Sequence, residues 1–223
     1  MKSLSRLFAS LGLLLIAFAP YLPSPAVAGQ LFDQINLVTD NPNINSALQT
    51  DPNLKNAWGI SYAATSPFWV SDNGTGLATL YRVDPTTDAT TIQSLVVSIP
   101  GNGTVTGQVF NTNNASAFNR DLFLFVSEDG TIAGWRGALG TTAETLVSAS
   151  TANVYKGSAL ATTINGDTYL YAANFRTGAI DVIKGTSGAP NLTGNFVDPN
   201  IPAGYAPFDI RLLNGRVLSA TTS

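Results

Sequence analysis

The chain has 223 residues, with 11 Lys and Arg against 14 Asp and Glu, no Cys and no His, and 11% charged residues. That charge density is under half of the roughly 25% usual in soluble proteins, which disfavours extended solvated helices. Without Cys there are no disulfides, thiolate zinc sites or cysteine nucleophiles, and without His the commonest general base and transition-metal ligand is gone. A net charge of −3 excludes a basic nucleic-acid surface, and 44% hydrophobic residues exclude a disordered chain.

The first 28 residues read as a signal peptide. Lys2 and Arg6 precede the apolar run Leu7 to Ala19; Pro20, Pro23 and Pro25 follow, and Ala26-Val27-Ala28 supplies a small-x-small site before Gly29. This is the pattern that signal peptidase binds and cuts, with cleavage expected after Ala28, and the run is shorter than the roughly 20 residues of a membrane span. Cleavage removes Lys2 and Arg6 and no acidic residue, taking the net charge from −3 to −5. The mature chain, 29–223, is therefore expected to be acidic and exported, either secreted or held at the cell surface or in a periplasm. No later segment is long enough to span a membrane.

From Gly29 onward no sustained 3.6-residue periodicity appears, and strand–turn–strand units recur instead. The first is Phe68-Trp69-Val70-Ser71-Asp72, the turn Asn73-Gly74-Thr75-Gly76, then Leu77 to Val83. The second runs from Phe123 to Ser127, turns at Glu128-Asp129-Gly130, and continues through Ile132 to Trp135. The third runs from Tyr169 to Asn174, turns through Thr177-Gly178, and continues from Ala179 to Ile183. Asn, Asp and Gly tolerate positive φ, so each unit predicts a hairpin. Before each hairpin stands a strand carrying Gly59, Gly107 or Gly157, and the fourth unit places Pro207 there; the steps are 48, 50 and 50 residues. This period falls in the range of propeller blades, which bury their faces by stacking around an axis. Glycine on the innermost strands is expected where backbones crowd the channel. A flat sandwich of short strands is the alternative, disfavoured by the fixed order of two recurring features.

The stretches Asn56-Ala57-Trp58-Gly59-Ile60, Trp69 to Gly76, Glu128 to Trp135, Val154-Tyr155-Lys156-Gly157, Ala172 to Val182 and Pro202 to Ile210 resemble NHL-type blades. More closely, they resemble a bacterial family of exported NHL-like β-propellers, many of which carry a C-terminal PEP-CTERM sorting signal. The resemblance covers essentially the whole mature region and implies an all-β propeller of four-stranded blades. It implies no activity and no catalytic residues. Family members continue through further blades, whereas this sequence ends within a fourth unit, giving about three and a half blades where closure needs at least four. A C-terminally truncated product is expected, or else a small ring closed by self-association. Leu31 to Val38 alternates well enough to pair with the last unit as a strand.

With His and Cys absent, carboxylates, Tyr, Lys and an oxygen-bound metal are the chemistry left. Equivalent turns carry Asp72, Glu128, Asp129 and Asn174, and Asp209 stands near the start of the fourth unit's inner strand. On a ring such positions converge towards one rim, where they could offer Ca²⁺ its oxygen ligands, as propeller lactonases hold a divalent cation by analogy. The stronger reading is local: Asp and Asn serve hairpin geometry through side-chain hydrogen bonds. Aromatic residues in the strands are expected to pack between blades, and Tyr205, between Gly204 and Pro207, is the one least suited to a core and a candidate ligand contact. The function expected is an exported binding module for an extracellular polysaccharide or protein, with no nucleic-acid partner. A divalent-metal-dependent lactonase-like hydrolase and a non-functional truncated product are the alternatives.

Overall fold

A computed structural model of the chain describes residues 33–194 and 196–223, so the expected signal peptide, Leu31 and Phe32 lie outside the described residues. Asp33 and Gln34 are exposed and belong to no strand. The unit from Ile35 to Ser223 is all β, built of antiparallel sheets with two short 3-10 turns at Phe118–Arg120 and Gly137–Leu139.

It opens with a short parallel pair, β1 (Val38–Thr39) and β2 (Gln49–Thr50). The expected strand from Leu31 to Val38 is thus not found over Asp33 to Leu37, and Val38 pairs with Gln49 rather than with the last unit. The cause is local. Asn41 Oδ1 accepts the backbone N–H of Asn43, and the Asn41 carbonyl accepts those of Ile44 and Asn45, which turns the chain back on itself.

Four larger sheets follow. The first contains β3 (Ala57–Ser61), β4 (Phe68–Asp72), β5 (Leu77–Val83) and β6 (Thr90–Ile92), with β7 (Val97–Ser98) also on β5. The second is β8 (Val105–Phe110), β9 (Phe123–Ser127), β10 (Ile132–Trp135) and β11 (Glu144–Val147). The third is β12 (Tyr155–Thr162), β13 (Thr168–Asn174) and β14 (Ala179–Lys184), and the fourth is the pair β15 (Ala206–Leu213) and β16 (Arg216–Thr222). Every hairpin expected from the sequence is present. Their turns use Gly76, Gly130, Gly178 and Gly215, all at positive φ.

The apolar runs in β9 and β13 are continuous because both faces are buried. Phe123 and Phe125 point into a core with Trp69, Leu80 and Trp135, while Leu124 and Val126 point the other way, onto Tyr155, Leu160 and Leu170. Along β13, Leu170 and Ala172 belong to that second core; Tyr169, Tyr171 and Ala173 face a third, with Ile210 of β15. Aromatic rings fill the first core: Trp69 stacks on Phe123 at 4.3 Å between centroids and meets Trp135 at 4.7 Å in a tilted arrangement. The three cores lie between successive sheets, so each middle sheet is clamped on two sides.

The first strands of the sheets lie side by side. A Cβ on Gly59 would come within 2.5 Å of the Thr106 carbonyl, one on Gly107 within 2.9 Å of Gly157, and one on Gly157 within 2.9 Å of the Phe208 carbonyl. Only a hydrogen fits at these crossings, where one backbone passes close to the next. Each first strand is also bulged at the same place: the registers shift between Ala57 and Ile60, Val105 and Gln108, Tyr155 and Ser158, and Pro207 and Asp209. A bulge re-aims the side chain that it carries. The four equivalent side chains are Trp58, Thr106, Lys156 and Phe208, so Asp209, and not Pro207 as the spacing suggested, takes the glycines' place in the fourth sheet.

Candidate functional site

Three of those four bulge residues meet. The Lys156 ammonium sits 4.8 Å from the Trp58 ring centroid, 5.9 Å from that of Phe208 and 5.7 Å from that of Phe175, while Trp58 and Phe208 lie 5.6 Å apart. Glu128 accepts a hydrogen bond from Lys156 Nζ and another from Asn73 Nδ2; Asn73 Oδ1 accepts from Asn56 Nδ2, and Asn56 Oδ1 accepts from Trp58 Nε1. The polar groups close a loop from Trp58 back to Lys156, whose charge is met by a carboxylate and by ring faces. Thr106 takes no part in it, since its hydroxyl lies against the carbonyls of Val126 and Tyr155. This cluster is a satisfied plug beside the hairpin turns that carry Asn73 and Glu128.

Below the plug a cleft of about 170 Å³ is lined by Gly59, Gln108, Ser158 and Arg211 among others. Towards the opposite end a larger cleft of about 380 Å³ opens, sharing Ile60, Gln108, Ser158 and Arg211 with the first. Its walls come from the C-terminal halves of β3, β8, β12 and β15, with Tyr62, Phe68, Phe110, Leu160 and Leu212 giving it a mainly apolar surface. Gln108 is fully employed: its amide donates to the Gly59 and Trp69 carbonyls and its oxygen accepts from Ser61. Ser158 Oγ is buried without a hydrogen-bond partner. Arg211 donates from Nε to Asp209 Oδ2 at 3.0 Å, and its two terminal nitrogens have no protein partner among the described residues.

The five residues considered as metal ligands each have protein partners of their own. Among the described residues no three acidic side chains are grouped so as to hold a metal ion. Asp129 is a turn residue, its Oδ1 accepting the N–H of Thr131 and its Oδ2 that of Asn102. Asn174 is buried, donating to Asn153 and Asp181 and accepting from the N–H of Val154. Asp209 accepts from its neighbour's N–H and from Arg211. Glu128 is the one that reaches the plug, and its partner there is Lys156. Tyr205 is exposed, in the loop before β15, and lies outside both clefts.

Asp72 is fully buried in a chain of hydroxyls. Thr79 Oγ1 donates to Asp72 Oδ2 at 2.8 Å, and Tyr81 Oη lies 2.8 Å from Thr79 Oγ1 and 2.9 Å from Asp51 Oδ2. Three hydrogen bonds require three protons, and the two hydroxyls supply two. A third is available only where a carboxyl keeps its proton. Burial pushes the Asp72 carboxyl up to about 7, against hydrogen bonding from Thr79, which lowers it, and with the Asp51 charge raising it further. Tyr81 is driven upward by the same burial and by the Asp51 charge. A carboxyl buried in a sheet and raised towards neutral pH is better suited to a structural role than to binding a cation.

Lys156, Ser158 and Arg211 went unmarked in the sequence reading. A charged residue beside a glycine on an otherwise apolar inner strand, as in Tyr155-Lys156-Gly157-Ser158, was the available signal.

No family model matches the chain. An uncharacterised protein of Acanthamoeba polyphaga mimivirus is 29% identical over 191 residues, covering 79% of this chain and 46% of the viral protein, so the chain spans about half the length of that curated relative. Among solved structures, the PQQ-bound aldose sugar dehydrogenase of Streptomyces coelicolor is similar at a TM-score of 0.40 and 18% identity, over 65% of this chain and 50% of that one.

Proposed function

We propose that the four sheets are successive blades of a β-propeller and that the protein is an exported module that binds a small ligand on the propeller axis. The observation that carries this reading is the convergence of four equivalent strands on one cleft of about 380 Å³, within the range of small-molecule sites. The repeated bulges, the glycines at the strand crossings and the cores between successive sheets support the blade assignment. Binding is favoured over catalysis because the cleft offers one exposed cation and one unpartnered hydroxyl, with no acid–base pair beside them. The plug directs access to the mouth formed by Tyr62, Phe68 and Leu212.

The test is a protein-observed NMR screen of a small-molecule fragment library against the full chain. Binders are expected to shift the amides of Ile60, Ser61, Val109, Leu160 and Leu212, and to lose affinity when Ile60→Trp fills the cleft. Shifts that map to the outer strands, unchanged by that substitution, would sink the reading.

A further inference from the structure

The cleft has a polarity of its own. Its wall is apolar from Ile60, Tyr62, Phe68, Phe110, Leu160 and Leu212, no carboxylate lines it, and Arg211 is its charged residue. Asp209 engages only the Nε edge of that guanidinium, leaving the outer fork, two parallel N–H donors, without a protein acceptor. Ser158 is 5% exposed, and its hydroxyl, buried with no partner, stands in the lining where the two clefts join. A buried hydroxyl without a partner is costly, and a guanidinium fork is shaped to grip two oxygens of one planar anion. Gln108 cannot compete for that anion, because both of its amide functions are spent on the protein.

Resting on the ligand-binding reading above, we propose that the cleft takes a small carboxylate with an apolar body. The carboxylate pairs with the free fork of Arg211 and accepts the Ser158 hydroxyl, and the hydrocarbon portion lies along Ile60, Phe110, Leu160 and Leu212. Apolar contact supplies most of the affinity and the fork supplies the selection for charge and planarity.

Three probes of equal length separate these contributions: octanoate, octanol and octylammonium, titrated into the full chain by isothermal calorimetry at constant pH. Octanoate should bind about tenfold or more tighter than the other two, the discrimination typical of a charge-assisted pair. Arg211→Gln should remove that preference while leaving octanol unchanged, and Ser158→Ala should weaken octanoate by about tenfold on the loss of one hydrogen bond to a charged acceptor. Arg216→Gln, an exposed arginine on the same hairpin, should change nothing. If all three probes bind alike and Arg211→Gln is silent while Ile60→Trp abolishes binding, the carboxylate assignment is overturned and the cleft stands. If binding survives Ile60→Trp, or no probe binds at millimolar concentration, the inference fails, and in the first case the location of the site fails with it.

Discussion

Asp72 stores a proton that an aspartate in water releases near pH 4. Its folded value of about 7 lies above the unfolded one, so the native state binds more protons than the unfolded state between those two pH values. Its contribution to stability is therefore complete below about pH 4 and is lost as the pH rises through about 7, at roughly 1 kcal/mol per pH unit. The chain has no His to obscure that window. Asp121, raised to about 6 chiefly by burial, acts in the same direction, whereas Asp84 is held low by the backbone N–H groups of Thr86 and Thr87 and matters only at lower pH. Urea unfolding should show the wild type losing about 2 kcal/mol between pH 5 and 7, and Asp72→Asn, which keeps the neutral group, should lose markedly less. Equal pH slopes for the two would mean that Asp72 is ionised in the fold. The sequence showed this aspartate as a turn residue and a candidate metal ligand and not as part of a buried hydroxyl chain, because Asp51, Thr79 and Tyr81 reach it from positions that no local pattern links.

At the scale of elements, hairpins were legible because their determinants are local: an apolar run, an Asn/Asp/Gly turn, a second run. The short outer strands β6, β7 and β11 were not legible, since two to four residues without a turn signature leave no period to read. The regular spacing of glycines on the first strands already implied crowding there, and the structure identifies what crowds them, a neighbouring backbone where a Cβ would stand. Gly107 is a clean test, because its nearest obstacles are all backbone, Gly157 and Ser158 at 2.9 Å, rather than a side chain that could swing away. Gly107→Ala should lower the unfolding free energy by about 1–3 kcal/mol, the usual cost of overpacking. Gly137→Ala, with open space around it, should stay within about 0.5 kcal/mol of wild type. Matching denaturation midpoints for the two variants would remove steric crowding as the reason for glycine on these strands.

Across the whole molecule, cores join each sheet to the next, yet one contact skips this order: Trp58 of the first sheet meets Phe208 of the fourth, with Lys156 of the third against both rings. No local signal foretells such a meeting, because its members stand 150 residues apart and depend on bulges in three separate strands. The fourth sheet needs it more than the others do. β16 is exposed along most of its length, and Ile210 is the fully buried anchor of β15 in the third core. If the plug ties first and last sheets together, Trp58→Ala and Phe208→Ala should show a double-mutant coupling of about 1 kcal/mol, beyond the area that each ring buries. Repeating the cycle with Lys156→Met should shrink the coupling, since part of it passes through the ammonium that both rings face. Hydrogen exchange gives the same experiment a spatial readout: Trp58→Ala should speed exchange in β15 and β16 while leaving β9, buried in two cores, near its wild-type rate. Strictly additive single effects, with β15 undisturbed, would reduce the plug to three neighbours in contact and leave the fourth sheet held by its adjacent core alone.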